Sequence, residues 1–185
     1  TRGRARFTLL TLPLEDSPTL PDMPQTTGSL AAGTFTTAVR QVSPAASRDD
    51  TLPMLTGVNI TFSGDTLTLA ATDRYRIAGR ELWWRPEYPD LSASALVRAR
   101  TRHDTARSLA PGSNVDIALS TASGGDGAIL SQGEGMIGFE NGGRRTTTRL
   151  IDSDFVKYET RFPADFAARA EVATAPLIEA VKRVA

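Results

Sequence analysis

The residues best able to do chemistry in this chain are arginines, and their spacing is helical. Arg100, His103 and Arg107 recur at i, i+3 and i+7, which places all three on one stripe of a helix. Arg40, on an amphipathic segment upstream, and Arg48, just after it, extend the basic set. Such a surface holds phosphates without reading sequence, and its grip weakens with salt. The same charges would equally suit a solvated helix face. His103 is the sole histidine and cysteine is absent, so neither a second imidazole nor a thiolate is at hand for a metal. Asp152-Ser153-Asp154 is too short for a calcium loop. The glycine clusters lack a following Gly-Lys-Ser/Thr, and no nucleophile elbow surrounds a serine. No catalytic residue, metal site or cofactor is expected.

Behind those residues lies a repeated element. Phe35-Thr36-Thr37-Ala38-Val39-Arg40-Gln41-Val42 reads like Leu177-Ile178-Glu179-Ala180-Val181-Lys182-Arg183-Val184. Leu20-Pro21 stands in the same relation to Phe162-Pro163, so each copy is a proline-bearing extended segment leading into a helix. Phe35, Ala38, Val39 and Val42 form one apolar stripe, matched by Leu177, Ala180, Val181 and Val184. Arg40 and Lys182 share the phase that points away from it. Between the copies the period is two. Residues 57–62 and 65–71 alternate around Ser63-Gly64-Asp65 as a hairpin, and further strands are expected over 76–84, 94–97, 114–119, 128–131, 136–139 and 145–151. A second helix fits residues 99–110. Helix, strands, helix, strands describe an α+β domain.

The 185 residues allow one ordinary domain and a remainder, and 40% hydrophobic residues suit a globular core. Lys+Arg and Asp+Glu balance at 21 each, so net charge favours no partner, although the basic residues cluster between Arg98 and Arg107. No stretch is long and apolar enough to span a bilayer, and the first residues lack a secretory pattern. A cytoplasmic protein is expected. Four prolines, at 13, 18, 21 and 24, make the region before Gly28 an extended connector. The expected organisation is therefore a last strand plus linker over 1–27, a complete domain with its connector over 28–163, and the opening of a further domain over 164–185.

Three blocks resemble the bacterial DNA polymerase III β sliding clamp family. One is Arg48-Asp49-Asp50-Thr51-Leu52-Pro53-Met54-Leu55-Thr56-Gly57-Val58 running into Leu67-Thr68-Leu69-Ala70-Ala71-Thr72-Asp73-Arg74-Tyr75-Arg76-Ile77. Another is Phe7-Thr8-Leu9 with Leu12-Pro13, Asp16, Pro18, Leu20 and Pro21, similar to the connector between the first two clamp domains. The third is Arg149-Leu150-Ile151-Asp152 with Phe155, Tyr158 and Pro163, similar to the connector into the third. The resemblance covers nearly the whole chain and corresponds to the middle of a family member. It implies the clamp fold, with two helices packed on antiparallel sheets, one complete domain and partial domains at both ends.

The resemblance also implies a function: a non-catalytic processivity factor, dimeric when full length, that encircles duplex DNA without sequence preference. The DNA-facing set would be Arg40, Arg48, Arg100, His103, Arg107 and Lys182. A hydrophobic pocket at Leu55, Thr72, Arg74, Arg76 and Ile77 would receive short apolar motifs of the polymerase III alpha subunit, the clamp loader and repair polymerases. Leu55 and Ile77 would also be at home as ordinary core at strand ends. Arg161 stands beside this pocket where the family usually carries an apolar residue, which should make the groove shallower. Arg102 likewise falls on the apolar face with Ala99, Ala106 and Leu109. One complete domain is not expected to close a ring unaided. The alternative function is a divergent or truncated paralogue that binds clamp-directed peptides or small molecules without encircling DNA. An unrelated α+β enzyme is a distant third.

If the 100–107 stripe meets DNA, Arg100→Glu with Arg107→Glu should weaken duplex binding equally across sequences. Each lost phosphate contact should lower the log–log salt slope by about one. An unchanged slope in a salt-dependent binding assay would place the stripe against solvent.

Overall fold

The computed structural model describes residues 11, 13, 22–99, 109, 112–120, 135–158, 162, 165 and 167–184. They separate into two units, Thr1–Phe155 and Val156–Ala185. Arg100, His103, Arg107, Arg161 and Arg102 lie outside the described residues, as do the expected strand at 128–131 and all of the expected second helix except Ala99 and Leu109.

In the larger unit β1 (Thr26–Ala31) leads into helix α1 (Ala32–Val42), which packs on both sheets. A four-stranded antiparallel sheet has the order β4-β3-β2-β6, with β2 at Gly57–Ser63, β3 at Thr66–Thr72, β4 at Ile77–Trp83 and β6 at Ser92–Arg98. A five-stranded antiparallel sheet has the order β5-β1-β7-β8-β9, with β5 at Arg85–Pro86, β7 at Asn114–Leu119, β8 at Met136–Asn141 and β9 at Arg144–Arg149. This is an α+β architecture.

The alternating pattern of the strands sets which face is inside. Val58, Ile60 and Phe62 of β2 and Leu67, Leu69 and Ala71 of β3 are fully buried, as period two requires of one sheet face. Val115, Ile117, Ile137 and Phe139 do the same from the other sheet, and all join one core with the α1 stripe Phe35, Ala38, Val39 and Val42. Phe35 meets Phe139 with ring centroids 5.6 Å apart, clamping helix to sheet. Two tight turns set the register. Ser63 pairs with Thr66 around Gly64, whose φ is 53°. Asn141 pairs with Arg144 around Gly142 and Gly143, whose φ values of 58° and 78° only glycine adopts freely.

Helix α1 stops where the sequence demands. Pro44 has no N–H to give to the carbonyl four residues back, so the chain tightens into a 3₁₀ turn over Ser43–Ala45. In the smaller unit, α2 (Thr174–Val184) forms the expected second copy of this helix. Its apolar side chains Leu177, Ile178, Val181 and Val184 are at the surface. Tyr158 and Phe162 of the same unit meet edge to face, 6.1 Å apart.

Because Phe139 is fully buried and is the sheet's partner for α1, Phe139→Ala should cost about 3–5 kcal/mol of unfolding free energy. Urea denaturation of both forms measures this. A loss below about 1 kcal/mol would mean the site collapses around the gap.

Candidate functional site

Two segments build the site, and each is shaped by its own short-range hydrogen bonds. The first runs from the end of α1 to β2. Ser47 N–H donates to the Leu55 carbonyl at 2.7 Å, closing residues 47–55 into a loop. Within it the Ser47 hydroxyl accepts from Asp49 N–H at 3.0 Å, and Asp49 Oδ1 accepts from Thr51 N–H at 3.0 Å. A second 3₁₀ turn, Pro53–Thr56, then buries Leu55 beneath the loop.

The other segment is the turn between β3 and β4. Thr72 and Ile77 face each other as the last strand pair. The Thr72 hydroxyl donates to the Arg76 carbonyl at 2.8 Å and accepts from Arg74 N–H at 3.2 Å. Asp73 Oδ1 accepts from the N–H groups of Tyr75 and Arg76 at 3.1 and 3.0 Å, while Oδ2 accepts from Arg76 Nε at 2.9 Å. Thus one threonine and one aspartate satisfy most of the turn, and Arg74 is carried at φ 83°, in the left-handed region that disfavours a side chain.

Between the segments lies a groove of about 530 Å³ lined by Leu52, Leu55, Arg48, Arg74, Tyr75 and Arg76, with Asp49 and Asp73 among its walls. Tyr75 is 96% exposed at its lip. A larger hollow of about 770 Å³ adjoins it through shared Ala46, Ser47, Arg48 and Arg76, and adds Arg40 and Arg98. The structure therefore brings Leu55, Arg74 and Arg76 together in one groove and Arg40, Arg48 and Arg76 in the other. Thr72 and Ile77 stand one step behind, where they hold the turn rather than line the groove. Lys182 sits in the last turn of α2, paired with Glu179 at 3.0 Å.

From the sequence no site role is assigned to Leu52, Asp73, Tyr75 or Arg98, although the first three stand in the family-like block and Arg98 opens the basic cluster. Asp73 and Tyr75 lay inside the recognised Thr72–Arg76 stretch; an Asp that opens a turn signals a side chain bonded to the backbone two residues on. Arg98 could have been found as the outward member at the end of the β6 alternation.

The bonds from the Arg76 and Tyr75 N–H groups, with the Arg76 guanidinium, hold the Asp73 carboxyl below the ordinary carboxylate range, the Arg76 N–H being the main cause. Asp49 is lowered chiefly by the Thr51 N–H and hydroxyl, with a smaller effect from Arg74. A lowered folded value stabilises the turn above the unfolded value, and that contribution fades as pH falls through the folded one.

Comparison with known proteins agrees with this architecture. The crystal structure of a DNA polymerase sliding clamp from Bacillus subtilis superposes with a TM-score of 0.72 at 23% identity, over 88% of this chain and 40% of that one. The fold is that of a sliding clamp. Residues 29–157 match the family model of the DNA polymerase III beta subunit, central domain, and the chain belongs to that family. It is 57% identical over 183 residues to a protein named beta sliding clamp from Streptomyces coelicolor, covering 99% of this chain and 46% of that protein. It is 45% identical over 178 residues to a beta sliding clamp homolog, GriR, from Streptomyces muensis, covering 96% of this chain and 45% of that protein. The chain thus spans a little under half the length of these two relatives.

The Asp73 carboxyl carbon, followed by NMR across acid pH, should titrate with a midpoint below about 3.9, the ordinary aspartate value. In Asp73→Asn the amide shifts of Tyr75 and Arg76 should lose that acid transition. A midpoint at or above the ordinary value would detach Asp73 from the turn.

Proposed function

We propose that this chain is the central part of a DNA polymerase processivity factor, a clamp that encloses duplex DNA and tethers replication and repair proteins through the Leu52–Leu55 groove. The observation that carries the reading is the groove itself. An apolar floor lies between two self-bonded segments, in a chain 57% identical to a beta sliding clamp. A short peptide with leucine or phenylalanine anchors can bury them on Leu52 and Leu55, while the arginine stems cover its sides. No step of this work needs a catalytic residue.

The basic residues supply the other half of the function. Arg40 is exposed on α1 and Arg48 is exposed on the loop after it. Together with Arg100, His103, Arg107 and Lys182 they would meet phosphates of duplex DNA without reading bases. Residues 28–163 form the central domain in this reading, flanked by segments of its neighbours, with β1 beginning slightly earlier at Thr26. The assembled protein is a homodimeric ring working in the cytoplasm with the polymerase III alpha subunit and the clamp loader. Likeness to the GriR homolog supports a second reading, a paralogue that binds clamp-directed peptides or small molecules. The higher identity to the Streptomyces coelicolor clamp favours the first.

A peptide bearing Leu and Phe anchors should bind the chain, and Leu52→Ser should weaken it about fivefold to tenfold, the loss expected for one partly buried aliphatic side chain. Leu52 is half-buried, so the variant should fold; circular dichroism checks this. Equal affinity of both forms by calorimetry would remove the groove from the function.

A further inference from the structure

We propose that the larger hollow receives an acidic flank of the docking segment whose apolar anchors occupy the adjoining groove. This deepens the peptide-docking reading above and rests on it. Among the described residues four arginines, Arg40, Arg48, Arg76 and Arg98, border the hollow against one carboxylate, Asp50. Among the described residues Arg40, Arg48 and Arg98 make no ion pair, and Arg76 alone is matched, by Asp73. Like charges gathered around one concavity repel each other unless an anion enters. The Ser43 hydroxyl, at the same wall, is buried and has no hydrogen-bond partner among the described residues.

The two cavities adjoin, with Ala46, Ser47, Arg48 and Arg76 lining both, so one extended segment can reach from one to the other. Its anchors rest on Leu52 and Leu55, and carboxylates a few residues away reach Arg76 and Arg98, which leaves the exposed Arg40 and Arg48 to the duplex. Guanidinium groups suit carboxylates because they offer paired donors in one plane. A flexible peptide favours this hollow over a duplex for a geometric reason. The groove and the hollow share Ala46, Ser47, Arg48 and Arg76, and a flexible segment can bend from one into the other where a stiff duplex cannot.

The test uses two synthetic peptides with the same Leu and Phe anchors, one flanked by three glutamates and one by three glutamines, each made with the flank on either side. The glutamate form should bind about fivefold tighter at low salt, as expected of a few partly exposed charge pairs, and the gap should close as salt rises. Arg98→Glu should abolish the gap while leaving the glutamine peptide unchanged. A duplex oligonucleotide is titrated alongside. If the glutamine peptide binds but the two peptides do not differ, or Arg98→Glu leaves the gap intact, the inference falls and the groove reading stands. If Arg98→Glu changes duplex affinity alone, the hollow belongs to nucleic acid and the inference falls. If neither peptide binds, the groove reading falls with it.

Discussion

The apolar stripe of α1 is the contact on which the rest of the larger unit depends. Phe35, Ala38, Val39 and Val42 are buried to within 1% of completely, and they face both sheets at once. Without this wedge each sheet would expose one full apolar face, since neither can close on itself. The same stripe also dictates where function sits. With one side of α1 locked inward, Arg40 must point out, and the chain leaving the helix must run along the same edge. Pro44 then turns the exit, which brings Arg48 and the Leu52–Leu55 floor beside the β3–β4 turn.

That turn is a second, local constraint. A left-handed arginine costs on the order of 1 kcal/mol or more relative to an unstrained conformation. Arg74 is held there because Thr72 and Asp73 together meet the turn's backbone needs from both sides. Thr72 and Ile77 therefore hold the turn that carries Arg74 and Arg76. The alternative for Leu55, ordinary core at a strand end, is partly right as well: it is 5% exposed and still lines the groove floor.

Strands with clean alternation were legible in the sequence. The limits of β7 were read correctly, and those of β2, β3 and β4 to within one residue, helped in β2 and β3 by Leu, Ile, Val and Phe alternating with polar residues. β1 was not legible. Thr26-Thr27-Gly28-Ser29 has no apolar period; it is a strand because the Thr27 hydroxyl finds the Ile117 carbonyl and because Gly28 fits under Trp84. A β-carbon on Gly28 would come within 2.4 Å of the indole, a constraint visible only once the tryptophan is in place. β5 is two residues long with a proline, too short for any periodic signal. The candidate site was legible through its motif, but the motif names residues without distinguishing those that touch a ligand from those that hold the turn. Only the hydrogen bonds of Thr72 make that distinction.

The arginines around the two cavities differ in kind, and that difference shapes what they can recognise. Arg76 is bonded to Asp73 through the turn, and an exposed pair of this sort adds little stability. Its value is orientation: the guanidinium is already placed, so a partner meets it with less rotamer entropy to lose. Among the described residues Arg40, Arg48 and Arg98 have no such ion pair. One fixed head between the cavities with those three around it is a surface that registers a ligand at one point and adapts elsewhere. That combination suits recognition of ligands that share one fixed point and differ around it.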